Sequence, residues 1–184
     1  MAASRYPTSQ YASGQLVESC GAVLLDLSLK PPRVCLIHYK KHDEWLLPKG
    51  RRNCGESRRE AALREAQEET GYKCHIQPVM MSTRAPLPDD PENVPDRVRS
   101  VQNLDEPFML TIQELGPDSG VKVIWWYVAA VDVGLEDGAG HGTGEFGADF
   151  FEYEEALQKL TYMTDREVLE KAIALVKDSG LGLS

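Results

Sequence analysis

No stretch of this sequence approaches the roughly 18 consecutive apolar residues that a membrane-crossing helix needs, so no membrane partner is expected. Cysteine is scarce. Cys20, Cys35, Cys54 and Cys74 lie far apart, with no C-x-x-C pair and no histidines at zinc-finger spacing. They read as reduced thiols, which argues against a disulfide scaffold or a structural zinc site. Positive charge is short as well: the net charge of -9 argues against a protein that coats nucleic acid or holds it in a stable complex. The opening "MAASRYPTSQYASGQ" lacks the apolar core of a secretory signal, giving the expectation of a cytoplasmic location. A secreted protein whose leader has been removed stays open, and oligomeric state is left undecided. No internal repeat is present.

What is present suits one globular domain. A chain of 184 residues buries about two thirds of its unfolded surface, and 42% hydrophobic with 27% charged residues lies near globular averages. Residues 1–15 read as a flexible polar leader and 16–180 as the domain. "LVESCGAVLLDL" and "RVCLIHYK", separated by "KPP", read as strands, and "EWLLP" as a short third strand leading to Gly50. "YKCHIQPVMMS" resumes strand character. Residues 83–107 hold five prolines and read as a long mobile loop inserted in the domain. "FMLTIQEL", "VKVIWWYVAAVD" and "ADFFEY" are further strands, with a glycine-rich loop over 134–147. Glu154 to Leu160 and Asp165 to Asp178 read as helices. Strands interleaved with few helices predict an α/β (α+β) architecture, a mixed sheet between helical layers.

Charge is unevenly placed. Between Tyr39 and Arg59 seven Lys/Arg residues face three acids, a local excess of +4 that leaves -13 elsewhere. Such a concentration draws small, highly charged anions to one place, although a solvated surface run reads the same way.

The segment that follows is the most informative. Ser57 and Glu60 form an S-x-x-E capping box and Gly71 is placed to end a helix, so a helix is predicted from about Arg58 to Thr70. At 100° per residue Glu65, Glu68 and Glu69 share one face, beside a narrow stripe of Ala62, Leu63 and Ala66 that can dock on a sheet. Arg64 lies four residues from both Glu60 and Glu68 and can pair with either. A surface helix with i, i+4 ion pairs would look similar. The spacing G-x5-E-x7-R-E-x-x-E-E-x-G, met at Gly50, Glu56, Arg64, Glu65, Glu68, Glu69 and Gly71, decides against it. Its chance probability is on the order of 10⁻⁹ per start position.

This pattern resembles the signature of the Nudix hydrolases, with Tyr72 bulkier than the usual aliphatic residue after the last glycine. The resemblance covers 23 residues and implies a Nudix-type α/β/α sandwich and magnesium-dependent hydrolysis of a diphosphate joined to another group. Glu65 and Glu69 are then metal ligands for Mg2+ or Mn2+, with the Gly50 carbonyl a further candidate. Glu68 is the expected general base. Arg64 would orient the carboxylates, and Glu56 would support the loop or a second metal.

The approach to the box, "KKHDEWLLPKG", resembles that of diphosphoinositol polyphosphate phosphohydrolases, many of which also cleave diadenosine polyphosphates. On that likeness Lys40, Lys41, His42, Lys49, Arg51 and Arg52 would surround a small-molecule polyphosphate substrate, with an inositol pyrophosphate such as InsP7 expected first. Arg51 and Arg52 replace the glycines usual after Pro-Lys-Gly in that group, and Glu18 stands where animal members carry a basic residue. Arg84, Arg97 and Arg99 could compensate. The alternative substrates are diadenosine polyphosphates, other nucleoside diphosphate derivatives or an mRNA cap, for which Trp125 or Trp126 would stack on a base. A basic pocket without a stacking aromatic would separate the first reading from these. Glu145 is a candidate for the late-loop carboxylate seen in some members, with exposed loop charge the plainer reading. A module that binds an anion without turnover is the remaining alternative.

Overall fold

The computed structural model describes residues 5–116, 119–132 and 144–181. In chain order its elements are β1 (Leu16–Asp26), β2 (Arg33–Tyr39), β3 (Glu44–Leu46), β4 (Lys49–Arg51), α1 (Arg58–Thr70), β5 (Cys74–Ile76), β6 (Val79–Thr83), β7 (Arg99–Leu104), β8 (Met109–Glu114), β9 (Val121–Val131), β10 (Phe146–Phe151), α2 (Tyr153–Lys159) and α3 (Met163–Asp178). The main sheet runs β10-β2-β1-β9-β5, with β3 added to β2, β4 to β1 and β8 to β9. β1 and β9 pair in parallel and the other neighbours antiparallel, which makes the sheet mixed.

Alternation along β1 sends its residues to two different cores. Val23 and Leu25 join Ile124, Trp126 and Val128 of β9 beneath α3, whose Val168, Leu169, Ala172, Ile173 and Val176 are all buried there. Each large aliphatic side chain so buried contributes roughly 1.5–3 kcal/mol, so this face carries most of the stability. Cys20, Ala22 and Leu24 face the other way, toward α1, whose fully buried residues there are the small Ala61, Ala62 and Ala66, with Leu63 partly buried beside them. Small residues let α1 approach the sheet closely.

Two sequence expectations need correction. Residues 83–107 are not one loop: β7 pairs antiparallel with β6 in a separate two-stranded sheet, and residues 84–98 between them contain turns only. Arg99 in this hairpin bonds Asp90 at 2.5 Å and Arg84 bonds Asp96 at 2.8 Å, so two of the three arginines proposed to compensate are paired within the hairpin. The strand expected over "YKCHIQPVMMS" divides at Gln77-Pro78, because proline lacks the N–H a sheet ladder needs. Of the glycine-rich stretch, residues 134–143 lie outside the described residues.

The fork in β1 positions the site. Its second half pairs with β2, Leu24 opposite Cys35, while its first half pairs with β4, Cys20 opposite Gly50. The chain therefore leaves β2, makes the β3 hairpin and returns to β1, which sets Gly50 in a strand beside α1.

Candidate active site

α1 has the bounds its caps predict. Ser57 N donates to Glu60 Oε2 at 2.8 Å, Glu60 N donates to Ser57 Oγ at 3.2 Å, and Gly71 ends the helix at φ 79°. That left-handed conformation is why glycine stands there. Glu60 is thereby occupied in the cap, and Arg64 pairs elsewhere. Its Nε and Nη2 donate to the two oxygens of Glu56 at 2.8 and 3.1 Å, its Nη1 to Glu65 at 2.8 Å and Glu68 at 2.9 Å, and its Nη2 also to the Arg51 carbonyl at 3.0 Å. One guanidinium thus spans three carboxylates and ties α1 to β4. The bonds from Arg64 outweigh burial and hold Glu56 below the ordinary carboxylate range, and the same contacts push Arg64 up.

Glu65 and Glu69 point from α1 at β4. A Cβ built on Gly50 would fall on the Glu65 carboxylate, so only glycine leaves that oxygen pair its place against the strand. Glu69 accepts the Lys49 N–H at 2.8 Å. Burial pushes its pKa up to about 7, against the opposing pull of that N–H and the Lys49 charge. A buried carboxylate so poorly compensated is where a cation is favourable. Among the described residues no three His, Cys, Asp or Glu side chains already stand in a metal cage. The donors nonetheless suit a hard divalent ion: carboxylate oxygens of Glu65, Glu69 and Glu56, and a backbone carbonyl at Gly50 in a cradle that a side chain would fill.

Beside Glu69 opens a cavity of about 400 Å³. One part is aromatic and aliphatic, with Tyr39, Phe146, Tyr162, Ile37 and Leu46. Another is polar, with Lys49, Lys122, Thr111 and Gln113, and the indole of Trp126 and the Asp165 carboxylate also line it. Asp165 accepts the Leu47 N–H at 3.3 Å and burial raises its pKa, so the segment 47–50 is gripped by a carboxylate from α3 and another from α1.

Of the cations proposed from sequence, Lys49 lines this cavity. Lys40 and Lys41 are exposed on the β2–β3 turn, and His42 packs its ring 5.1 Å from Tyr39 at the rim. Arg51 is exposed and does not line the cavity, but its register on β4 puts it on the same sheet face as Lys49 and close enough to Lys122 to act on it. Arg52 is engaged elsewhere: its Nε donates to Glu18 at 2.8 Å and its Nη1 to the carbonyls of Glu56 and Asn53 at 2.7 and 3.2 Å. Glu18 is a hub, accepting also from Arg58 Nε at 2.6 Å and Trp125 Nε1 at 3.0 Å. Burial raises its pKa, but these arginines outweigh it and hold the carboxyl below its ordinary value. Trp125 is covered by the Arg58 guanidinium, 4.1 Å from the ring centre, and Trp126 is buried with its Nε1 on Thr111, so neither is free to stack on a base. Glu145 is exposed, and its carbonyl accepts the Lys40 N–H at 3.2 Å. Sequence reasoning missed Tyr39, Lys122, Phe146, Tyr162 and Asp165. Only Lys122 left a signal, as a lone cation inside the apolar run "VKVIWWYVAA".

Residues 18–172 match the model of the NUDIX domain. Among solved structures, the chain is similar to an Ap4A hydrolase of C. elegans, at 18% identity over 88% of this chain and 98% of that one, with a TM-score of 0.59. A NUDIX-family hydrolase from Clostridium perfringens matches at 17% identity over 90% and 99%, TM-score 0.56. The NUDIX domain of Shewanella oneidensis NrtR, solved with ADP ribose, matches at 15% over 92% and 93%, TM-score 0.57. At these identities the likeness speaks for the fold, the mixed sheet between helices described above. With the matched model spanning most of the sequence and the glutamate helix set against the Gly50 strand, this chain belongs to the Nudix family.

Proposed function

We propose that the chain hydrolyses a phosphoanhydride with the help of a divalent cation, Mg2+ or Mn2+. The observation that carries this reading is the buried Glu69 carboxylate beside Glu65, facing Gly50 at the mouth of a ligand-sized cavity. Glu65 and Glu69, with Glu56 and the Gly50 carbonyl, would hold the ion. When bound, it screens the diphosphate charge and lowers the pKa of a water molecule. Arg64 fixes the orientation of Glu56, Glu65 and Glu68 before substrate arrives, and such preorganisation is what phosphoryl transfer chiefly requires. Glu68 is half exposed and is the group placed to accept the proton of an attacking water. Lys49 stands between the carboxylates and the cavity, where it can hold the diphosphate.

The cavity favours a substrate whose diphosphate carries a planar organic group. Tyr39, Phe146 and Tyr162 supply apolar and aromatic surface, whereas the two lysines that line the space, Lys49 and Lys122, stand among the carboxylates of Glu44, Glu69 and Asp165, a poor setting for a ring bearing many phosphates. The substrate class is thus a diadenosine polyphosphate or another nucleoside diphosphate derivative. A diphosphoinositol polyphosphate is the second reading, favoured by the exposed Lys40, Lys41 and His42 at the rim.

The test is phosphate or nucleotide release with Mg2+ from a diadenosine polyphosphate, a nucleotide sugar, a capped RNA and an inositol pyrophosphate, beside Glu69→Gln. The diadenosine polyphosphate should turn over fastest, and the substitution should abolish release. Fastest turnover of the inositol pyrophosphate would reverse the two substrate readings. No turnover of any of them would leave an anion-binding module.

A further inference from the structure

Lys122 projects from β9 into the cavity and forms no ion pair with a carboxylate among the described residues. The charged groups close enough to act on it are Lys49 and Arg51, both cations. Strand register explains why the three meet. Residues directly opposite across a ladder point to one face. Lys122 lies opposite Val17 on β1, Ser19 lies opposite Arg51 and Ile124, and Gly21 lies opposite Lys49 and Trp126. The cations therefore emerge on the same side of the sheet, the side under α3. Gly21 keeps them close, because a Cβ there would meet the Lys49 side chain and the Trp126 ring. On this face, between Arg51 and Ile124, lies the Ser19 hydroxyl, buried and without a hydrogen-bond partner among the described residues. None of the three cations forms an ion pair with a protein carboxylate among the described residues.

Three like charges gathered over a half-buried floor repel one another, and burial together with that repulsion lowers the pKa of Lys122. Glu69 and Asp165 act on Lys49 and offset part of this, whereas Lys122 is acted on by cations alone among the described residues. A bound anion relieves that repulsion.

We infer that Lys122, with Arg51 and Lys49, forms an anion subsite that takes a phosphate beyond the scissile pair, so the chain selects substrates bearing three or more phosphates. The inference rests on the hydrolase reading above for its meaning, but the subsite itself is a binding property. Lys122 acts in recognition of the substrate, not in the bond-breaking step.

The experiment is calorimetric binding of inorganic tripolyphosphate and of pyrophosphate in EDTA, where no turnover occurs, to the intact protein, Lys122→Gln and Lys122→Arg. Lys122→Gln should weaken tripolyphosphate binding tenfold or more and pyrophosphate binding less than threefold, and Lys122→Arg should restore both to within a few-fold. Unfolding temperatures of the variants, matched to the parent, show that the fold is kept. Should Lys122→Gln prove less stable, the ratio of its two anion affinities, in which a loss of folded protein cancels, still decides. Equal losses for the two anions, or no loss, would overturn the subsite. Kinetics then separate the readings. With diadenosine tetraphosphate against a nucleoside diphosphate sugar, Lys122→Gln should raise KM for the tetraphosphate alone, with kcat unchanged, and an inositol pyrophosphate in the same assay distinguishes the two sources of phosphate. Selective tripolyphosphate binding without any turnover would sink the hydrolase reading and leave the subsite standing. Turnover without selective binding would do the reverse.

Discussion

The two faces of the sheet use positive charge in opposite ways. Toward α1, arginines end on carboxylates: Arg52 and Arg58 on Glu18, Arg59 on Asp105, and Arg64 on Glu56, Glu65 and Glu68. On the face under α3, Lys49, Arg51 and Lys122 form no ion pair with a carboxylate among the described residues, although Glu69 and Asp165 lie close enough to act on Lys49. Arg51 and Arg52 are neighbours in sequence and belong to different systems, because successive strand residues point to opposite faces. The lesson is that basic residues near a candidate site divide into those that build it and those left for the ligand, and strand parity makes the division.

The sharpest way to break this contrast is to remove charge at the junction of the two faces. Glu65→Gln and Glu69→Gln each keep an acceptor oxygen and lose the charge. Either should lower kcat by about 10³-fold or more, roughly 4 kcal/mol of transition-state stabilisation, with unfolding temperature little changed. Gly50→Ala tests the same junction by volume. A methyl group at the position of the Glu65 carboxylate should displace it and cost about 100-fold in kcat/KM.

On the structural face, Glu18→Ala removes the acceptor shared by Arg52, Arg58 and Trp125. Losing hydrogen bonds to charged groups at a mostly buried carboxylate should lower unfolding free energy by about 2 kcal/mol in a denaturant titration, against about zero for Lys122→Ala. If the two substitutions cost the same, the division of labour fails. Acid sharpens the point. The arginines hold the folded Glu18 below its ordinary pKa of 4.5, so its stabilising contribution is present above that value and is lost as pH falls through the folded pKa. Unfolding temperature should therefore drop more steeply below pH 4.5 in the parent protein than in Glu18→Gln. The smallest effect belongs to Lys40→Ala and Lys41→Ala. On an exposed turn each should change KM less than twofold for a nucleotide substrate, and a larger rise confined to an inositol pyrophosphate would strengthen the second substrate reading.

Much of α1 was legible in the sequence because its signals are local. Ser57 and Glu60 cap each other within one turn, Gly71 takes a conformation few other residues accept, and Ala62 and Ala66 recur at helical spacing. The partner of Glu65 at Gly50 was legible only through family resemblance, since the contact depends on β4 returning to β1. The cavity was not legible. Tyr39, Lys122, Phe146 and Tyr162 come from four separate elements or turns, and no periodicity joins them. β7 escaped because its hydrophobic residues are few and its partner β6 lies across a proline-rich connection. The likeness that places Arg52 at the substrate carries no information about which side of the strand the residue occupies, and its guanidinium lies on Glu18.

The central claim is that Glu65 and Glu69 hold a divalent cation against Gly50, and Mn2+ titration followed by electron paramagnetic resonance tests it most directly. The parent protein should remove Mn2+ from the free-ion signal at a site that Mg2+ competes for. In Glu65→Gln and Glu69→Gln that site should be weakened at least tenfold, while Glu18→Gln leaves it nearly unchanged. Unaltered Mn2+ binding in both α1 variants would contradict the account.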